Sequence, residues 1–144
     1  MKSPDPNHDI VARALATARV RAVRLGLLGL HKAALDAERL RYERVNGRIE
    51  SAQAALRLAL DDPWFQWLHP LAAIIVQMDE RLAEPEAVEV AEAEAFSDRV
   101  RGLLQHSDGQ DRFRVEYHRL LQEAPDVVMA HAHVVSLLAA DVSQ

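Results

Sequence analysis

The chain has no cysteine among its 144 residues. That removes disulfide scaffolds, thiolate zinc sites and cysteine nucleophiles together. Only five glycines are present and none forms a phosphate-cradling loop, which sets nucleotide chemistry aside. No Gly-x-Ser-x-Gly elbow exists, so a serine hydrolase of that type is excluded. No run approaches the ~18 uninterrupted apolar residues of a membrane span. The opening Met1-Lys2-Ser3-Pro4-Asp5-Pro6-Asn7-His8 is polar and proline-punctuated, with no hydrophobic core of a signal peptide. The expectation is a cytoplasmic protein with a disordered tail over residues 1–8 and one helical-bundle domain over residues 9–144.

What is abundant is apolar residue at helical spacing, with 49% of the chain hydrophobic. Asp9 reads as an N-cap, and helix-favouring residues run to Val45 before a stop at Asn46-Gly47. Along this first helix Val20, Val23, Leu27, Leu30, Ala34 and Val45 share one face. Shorter helices are predicted over residues 51–60, 71–82, 88–104, 111–122 and 127–140. Pro70 breaks or restarts the chain at His69, and Ser107-Asp108-Gly109 makes a turn. Strand alternation and internal repeats are lacking. The fold class is therefore all-α: a helical bundle with a long N-terminal helix and four or five further helices.

Charge is unevenly divided. Residues 1–48 hold ten Lys/Arg against five Asp/Glu, and the rest holds seven against seventeen, for a net of -5. Such a split favours attraction between helices or between copies over nucleic-acid binding, which a pI near 5.8 also disfavours. The acidic run over residues 84–98 reads as a solvated face.

The stretches Tyr42-Glu43-Arg44-Val45-Asn46-Gly47 and Asp62-Pro63-Trp64-Phe65-Gln66-Trp67-Leu68-His69-Pro70, running on to Asp79-Glu80, resemble a group of uncharacterised bacterial helical proteins. That resemblance implies a helical fold and a bacterial origin. It implies no activity, cofactor or catalytic residue.

Seven histidines raise the question of metal. His-Glu-x-x-His, Glu-x-x-His, His-x-x-x-Glu and His-x-x-x-His are all absent, and His131 and His133 point roughly 200° apart on a helix. One constellation survives. His31, Glu38 and Tyr42 fall within about 40° of one another on the first helix. Glu38 shares its direction with Val20, so its carboxylate should be buried. Asp79 and His131 border the apolar stripes of two other helices. If these helices meet, all five residues converge, either as a hydrogen-bonded network fixing helix register or as a small-ligand or metal site.

Trp64 and Trp67 around the Pro63–Pro70 break admit a docking role as well as core packing. Leu25 and Leu28, like Val11, Leu15 and Leu40, lie outside the main face and suggest an interface. The functional expectation is a non-enzymatic bundle acting through self-association as a homodimer, or through another protein partner. The alternative is a ligand- or metal-binding bundle. No cofactor is expected.

Overall fold

The structure is a computed structural model that describes residues 6–105 and 111–140. It contains six α-helices and no strand among the described residues. Helix α1 spans Pro6–Asn46, 41 residues, or ~60 Å at 1.5 Å per residue. It starts earlier than Asp9 predicted. A proline is well suited to a first turn, because its missing N–H has no acceptor there in any case. Asn7 and His8 therefore belong to the helix and not to a tail, while residues 1–5 and the turn expected at residues 107–109 lie outside the described residues. At the other end Gly47 takes φ +91° and its N–H returns to Glu43 O at 2.9 Å, ending the helix as Asn46-Gly47 implied.

Helix α2 (Ala52–Asp61) is capped by Ser51, whose hydroxyl accepts from Ala54 N. A turn follows in which Asp62 Oδ1 accepts from Trp64 N at 2.8 Å. One 3₁₀ turn, Gln66–Leu68, leads directly into α3 (His69–Leu82), with Pro70 tolerated in its first turn. Helices α4 (Val90–Gln105), α5 (Arg112–Glu123, capped by Asp111) and α6 (Pro125–Ala140) complete the bundle.

Val20, Val23, Leu27, Leu30 and Ala34 of α1 form the spine of the core, with Leu71, Ile75 and Met78 of α3, Val100 of α4, Leu120 of α5 and Val127, Val134 and Leu138 of α6. The most extensive contact of α1 is with α6. Gly26 permits it: a Cβ there would lie 2.9 Å from Leu137 Cδ1 and 3.2 Å from Val134 Cγ2. Val45 departs from expectation. It shares the core direction of α1 yet is 67% exposed, because the helix outruns the bundle at that end.

The linker between α3 and α4 is tied down by arginines. Arg81 donates to Glu86 O and Ala87 O and pairs with Glu92, while Thr17 Oγ1 on α1 accepts from Val88 N at 2.9 Å. Arg13 reaches Glu89 at 3.3 Å. The acidic run is thus partly consumed in pairs, where a wholly solvated face was expected.

Candidate functional site: a buried carboxylate

Glu38 is fully buried, 0% exposed, as its shared direction with Val20 requires. A carboxylate in such a place must be paired. Two donors meet it. Trp67 Nε1 donates to Oε2 at 3.1 Å, and Arg119 Nη2 donates to Oε1 at 2.6 Å. Arg41, one turn further along α1, stands 3.7 Å from Oε2. Each oxygen therefore has its own donor from a different part of the chain, the 3₁₀ turn and α5.

Arg119 is itself held on α5 by Glu116 and Glu123, at 2.8 and 3.0 Å. Burial opposes its charge, but the hydrogen bonds it donates to Glu38 and Glu116 outweigh that and raise its pKa further. The guanidinium is a fixed cation that Glu38 can rely on at any ordinary pH.

From Trp67 a row of rings crosses the core. Trp67 packs on Phe113 at 5.6 Å between centroids, Phe113 stacks on Tyr117 at 5.3 Å, and the Tyr117 hydroxyl lies 2.6 Å from His131 Nδ1. Burial raises the Tyr117 pKa and lowers that of His131. Both shifts favour a neutral pair in which the hydroxyl donates to Nδ1. His131 is thus linked to Glu38 through three aromatic rings and makes no direct contact with it.

The five residues expected to converge are divided among separate partners. Glu38 is buried as reasoned, but its donors are Trp67 and Arg119 in place of His31, Tyr42 or His131. Tyr42 instead packs between Trp64 and Phe65, at 5.4 and 5.6 Å, with the Arg41 guanidinium 4.5 Å from the Trp64 ring. His31 sits half-buried, its pKa lowered by burial and by nearby His69. Asp79 faces outward and pairs with Arg24. Among the described residues no three His, Cys, Asp or Glu side chains are grouped as a metal ion requires.

The interface candidates also divide. Trp67 is 3% exposed and is a core residue, so it is withdrawn from the docking set. Trp64 is half-buried, whereas Leu25 and Leu28 are exposed. The sequence reading missed Arg119 altogether. Its signal was present: it follows Glu116 by three residues and precedes Glu123 by four, beside the Phe113–Tyr117–Leu120 stripe. A buried tryptophan also needs an acceptor, which could have pointed from Trp67 to Glu38.

Both Glu38 oxygens hold a donor, and His131 Nδ1 is taken by the Tyr117 hydroxyl. Next to Arg119 and Arg41, on the outer side, a groove of about 400 Å³ runs between α1 and the α5–α6 corner. The class defined by fold and site is an all-α bundle locked by an internal ion pair. No known protein family, curated protein or solved structure matches the chain, so the bacterial resemblance gains neither a family nor a source from comparison.

Proposed function

We propose that this protein is a non-catalytic helical module that works by protein association, first of all with a second copy of itself. The observation that carries this reading is the outer surface of α1. Leu15, Leu25 and Leu40 are 59%, 63% and 59% exposed on one helix, away from the face that fills the core. Scattered surface leucines are ordinary, but a row of them along a single long helix is a docking surface. Three features point away from other readings. The polar cluster around Glu38 is enclosed by protein groups, which suits a structural role. Arg13, Arg24, Lys32 and Arg41 already face carboxylates of the same chain, so few cations on α1 are free for a nucleic-acid backbone. No described helix is long and apolar enough to cross a membrane. Light scattering across the micromolar range tests the proposal. It requires a mass near twice 16.1 kDa, and a single-chain mass throughout that range would overturn self-association.

A further inference from the structure

The core holds a phenol with a base set against it. Tyr117 is 3% exposed, and its hydroxyl lies 2.6 Å from His131 Nδ1. The two side chains come from α5 and α6, which are joined by Ala124 alone, so the corner between these helices fixes the pair. His131 is only half-buried, and its ring bridges the phenol and the edge of the bundle. The other tyrosine, Tyr42, packs among rings, and its hydroxyl has no hydrogen-bond partner among the described residues. A structural hydrogen bond needs an acceptor at Tyr117 but not a base. A base adds a place for the phenolic proton.

Tyr117 also ends a file of rings. It stacks on Phe113 with 14° between planes, and Phe113 packs in turn on Trp67 at 5.6 Å between centroids. Indoles and phenols are the side chains that give up one electron most readily once thiols are absent, and this chain has no cysteine. Losing an electron makes a phenol strongly acidic, so the step is easy only where a base takes the proton at once. Tyr117 is shut off from bulk water, and its base is His131. Burial lowers the His131 pKa, which keeps the ring neutral near pH 7 with Nδ1 able to accept.

We infer that Tyr117 is a redox-active tyrosine: a one-electron oxidant draws its electron through the ring file, and the phenolic proton passes to His131 Nδ1. The step balances between named groups. The oxidant, a peroxide-derived radical or a ruthenium(III) complex, gains one electron. The Tyr117 O–H bond breaks and an Nδ1–H bond forms, leaving a neutral tyrosyl radical beside an imidazolium. A one-electron donor such as ascorbate reverses the step, and the proton returns from Nδ1 to the oxygen. Trp67 is spared, because an electron from Tyr117 refills its ring while its Nε1–H stays on Glu38. Tyr117 is thus a sink that protects the clamp of the core from oxidation, whether or not the chain self-associates.

Flash oxidation of the full chain by photogenerated tris(bipyridine)ruthenium(III) tests this, with radicals followed by transient absorption and electron paramagnetic resonance. The unaltered protein should give a tyrosyl radical that forms more slowly in heavy water. Tyr117→Phe should lose it and leave a longer-lived tryptophan radical, while Tyr42→Phe should keep it. His131→Gln separates the two roles of the histidine. Glutamine accepts the same hydrogen bond but is too weak a base to hold the proton, so radical formation should slow by about a hundredfold. Phe113→Leu interrupts the file and should prolong the tryptophan radical. Circular dichroism establishes that each variant keeps its helices. A tyrosyl radical that survives Tyr117→Phe, or none in the unaltered protein, overturns the assignment of Tyr117. An unchanged rate in His131→Gln, or no effect of heavy water, reduces the pair to a structural hydrogen bond and overturns the proton transfer. A tryptophan radical with the same lifetime in Phe113→Leu overturns the route.

Discussion

Removing the buried carboxylate should be among the most damaging single changes in this chain. In Glu38→Ala, Trp67 Nε1 loses its acceptor inside a dry core, and an orphaned buried donor costs about 1–3 kcal/mol. Arg119 is cushioned. It keeps Glu116 at 2.8 Å and Glu123 at 3.0 Å, and its side chain is 21% exposed. Its loss therefore falls well below the ~3–5 kcal/mol of a charge stranded outright. Adding the cavity left by the missing atoms, the expected destabilisation is about 3 kcal/mol. At this chain length that lowers the melting temperature by ~6–12 °C. Glu38→Gln keeps the volume and one acceptor but turns its amide N–H₂ toward the other donor, so it should cost about 1–2 kcal/mol. Urea unfolding monitored by circular dichroism gives both values. A double-mutant cycle with Trp67→Phe isolates the indole bond: without the indole N–H, the Glu38→Gln penalty should shrink by about 1 kcal/mol. An Glu38→Ala cost under about 1 kcal/mol, or a cycle with no coupling, would refute the assignment of Glu38 as the clamp of the core.

Other consequences follow from the same contacts. His31 and His131 both have pKa values lowered by burial, so the unfolded chain binds protons more readily than the native one below the ordinary value of 6.5. Stability should be complete above about pH 7, fall as pH drops through 6.5 toward the folded values, and lose part of that slope in His131→Gln, as urea midpoints across pH 5–8 would reveal. Tyr117→Phe removes the donor to His131 and should cost about 1 kcal/mol near neutral pH; because burial raises the Tyr117 pKa, it should also flatten the loss of stability as pH rises through the ordinary tyrosine value of about 10, measurable by thermal melts. Gly26→Leu must force α6 away from α1 and should destabilise by about 2 kcal/mol or more, whereas Gly26→Ala, whose single Cβ meets the end of the Leu137 side chain at 2.9 Å and Val134 Cγ2 at 3.2 Å, should be milder.

Helix identity was legible because caps and breakers sit where local chemistry needs them: Ser51, Asp111, Gly47 and Pro70 mark boundaries with little help from the rest of the chain. Glu38 was legible as buried for a similar reason, since periodicity fixes its direction relative to Val20. Its partners were not. Periodicity assigns a face to each helix but does not say which helix lies against it or at what height. Arg119 is 81 residues away in sequence, and only the packing of α5 brings it to Oε1. Trp67 belongs to a 3₁₀ turn, whose tighter winding aims the indole inward where α-helical spacing gives no guidance. Val45 failed for the opposite reason: its direction is right, but nothing local records where the neighbouring helices stop.

The close approach at Gly26 joins two helices separated by most of the chain, and this orders events in time. While α2 to α5 are being made, the Val23–Leu27–Leu30 surface that α6 covers is already outside the ribosome without its cover. At 5–20 residues per second the wait is ~5–20 s. Contacts of such long sequence separation also slow folding relative to a bundle of adjacent hairpins. Substitutions at the α1–α6 seam should therefore reduce the yield of folded protein in the cell more than their effect on equilibrium stability alone would suggest, because they act on the step for which the exposed first helix has waited longest.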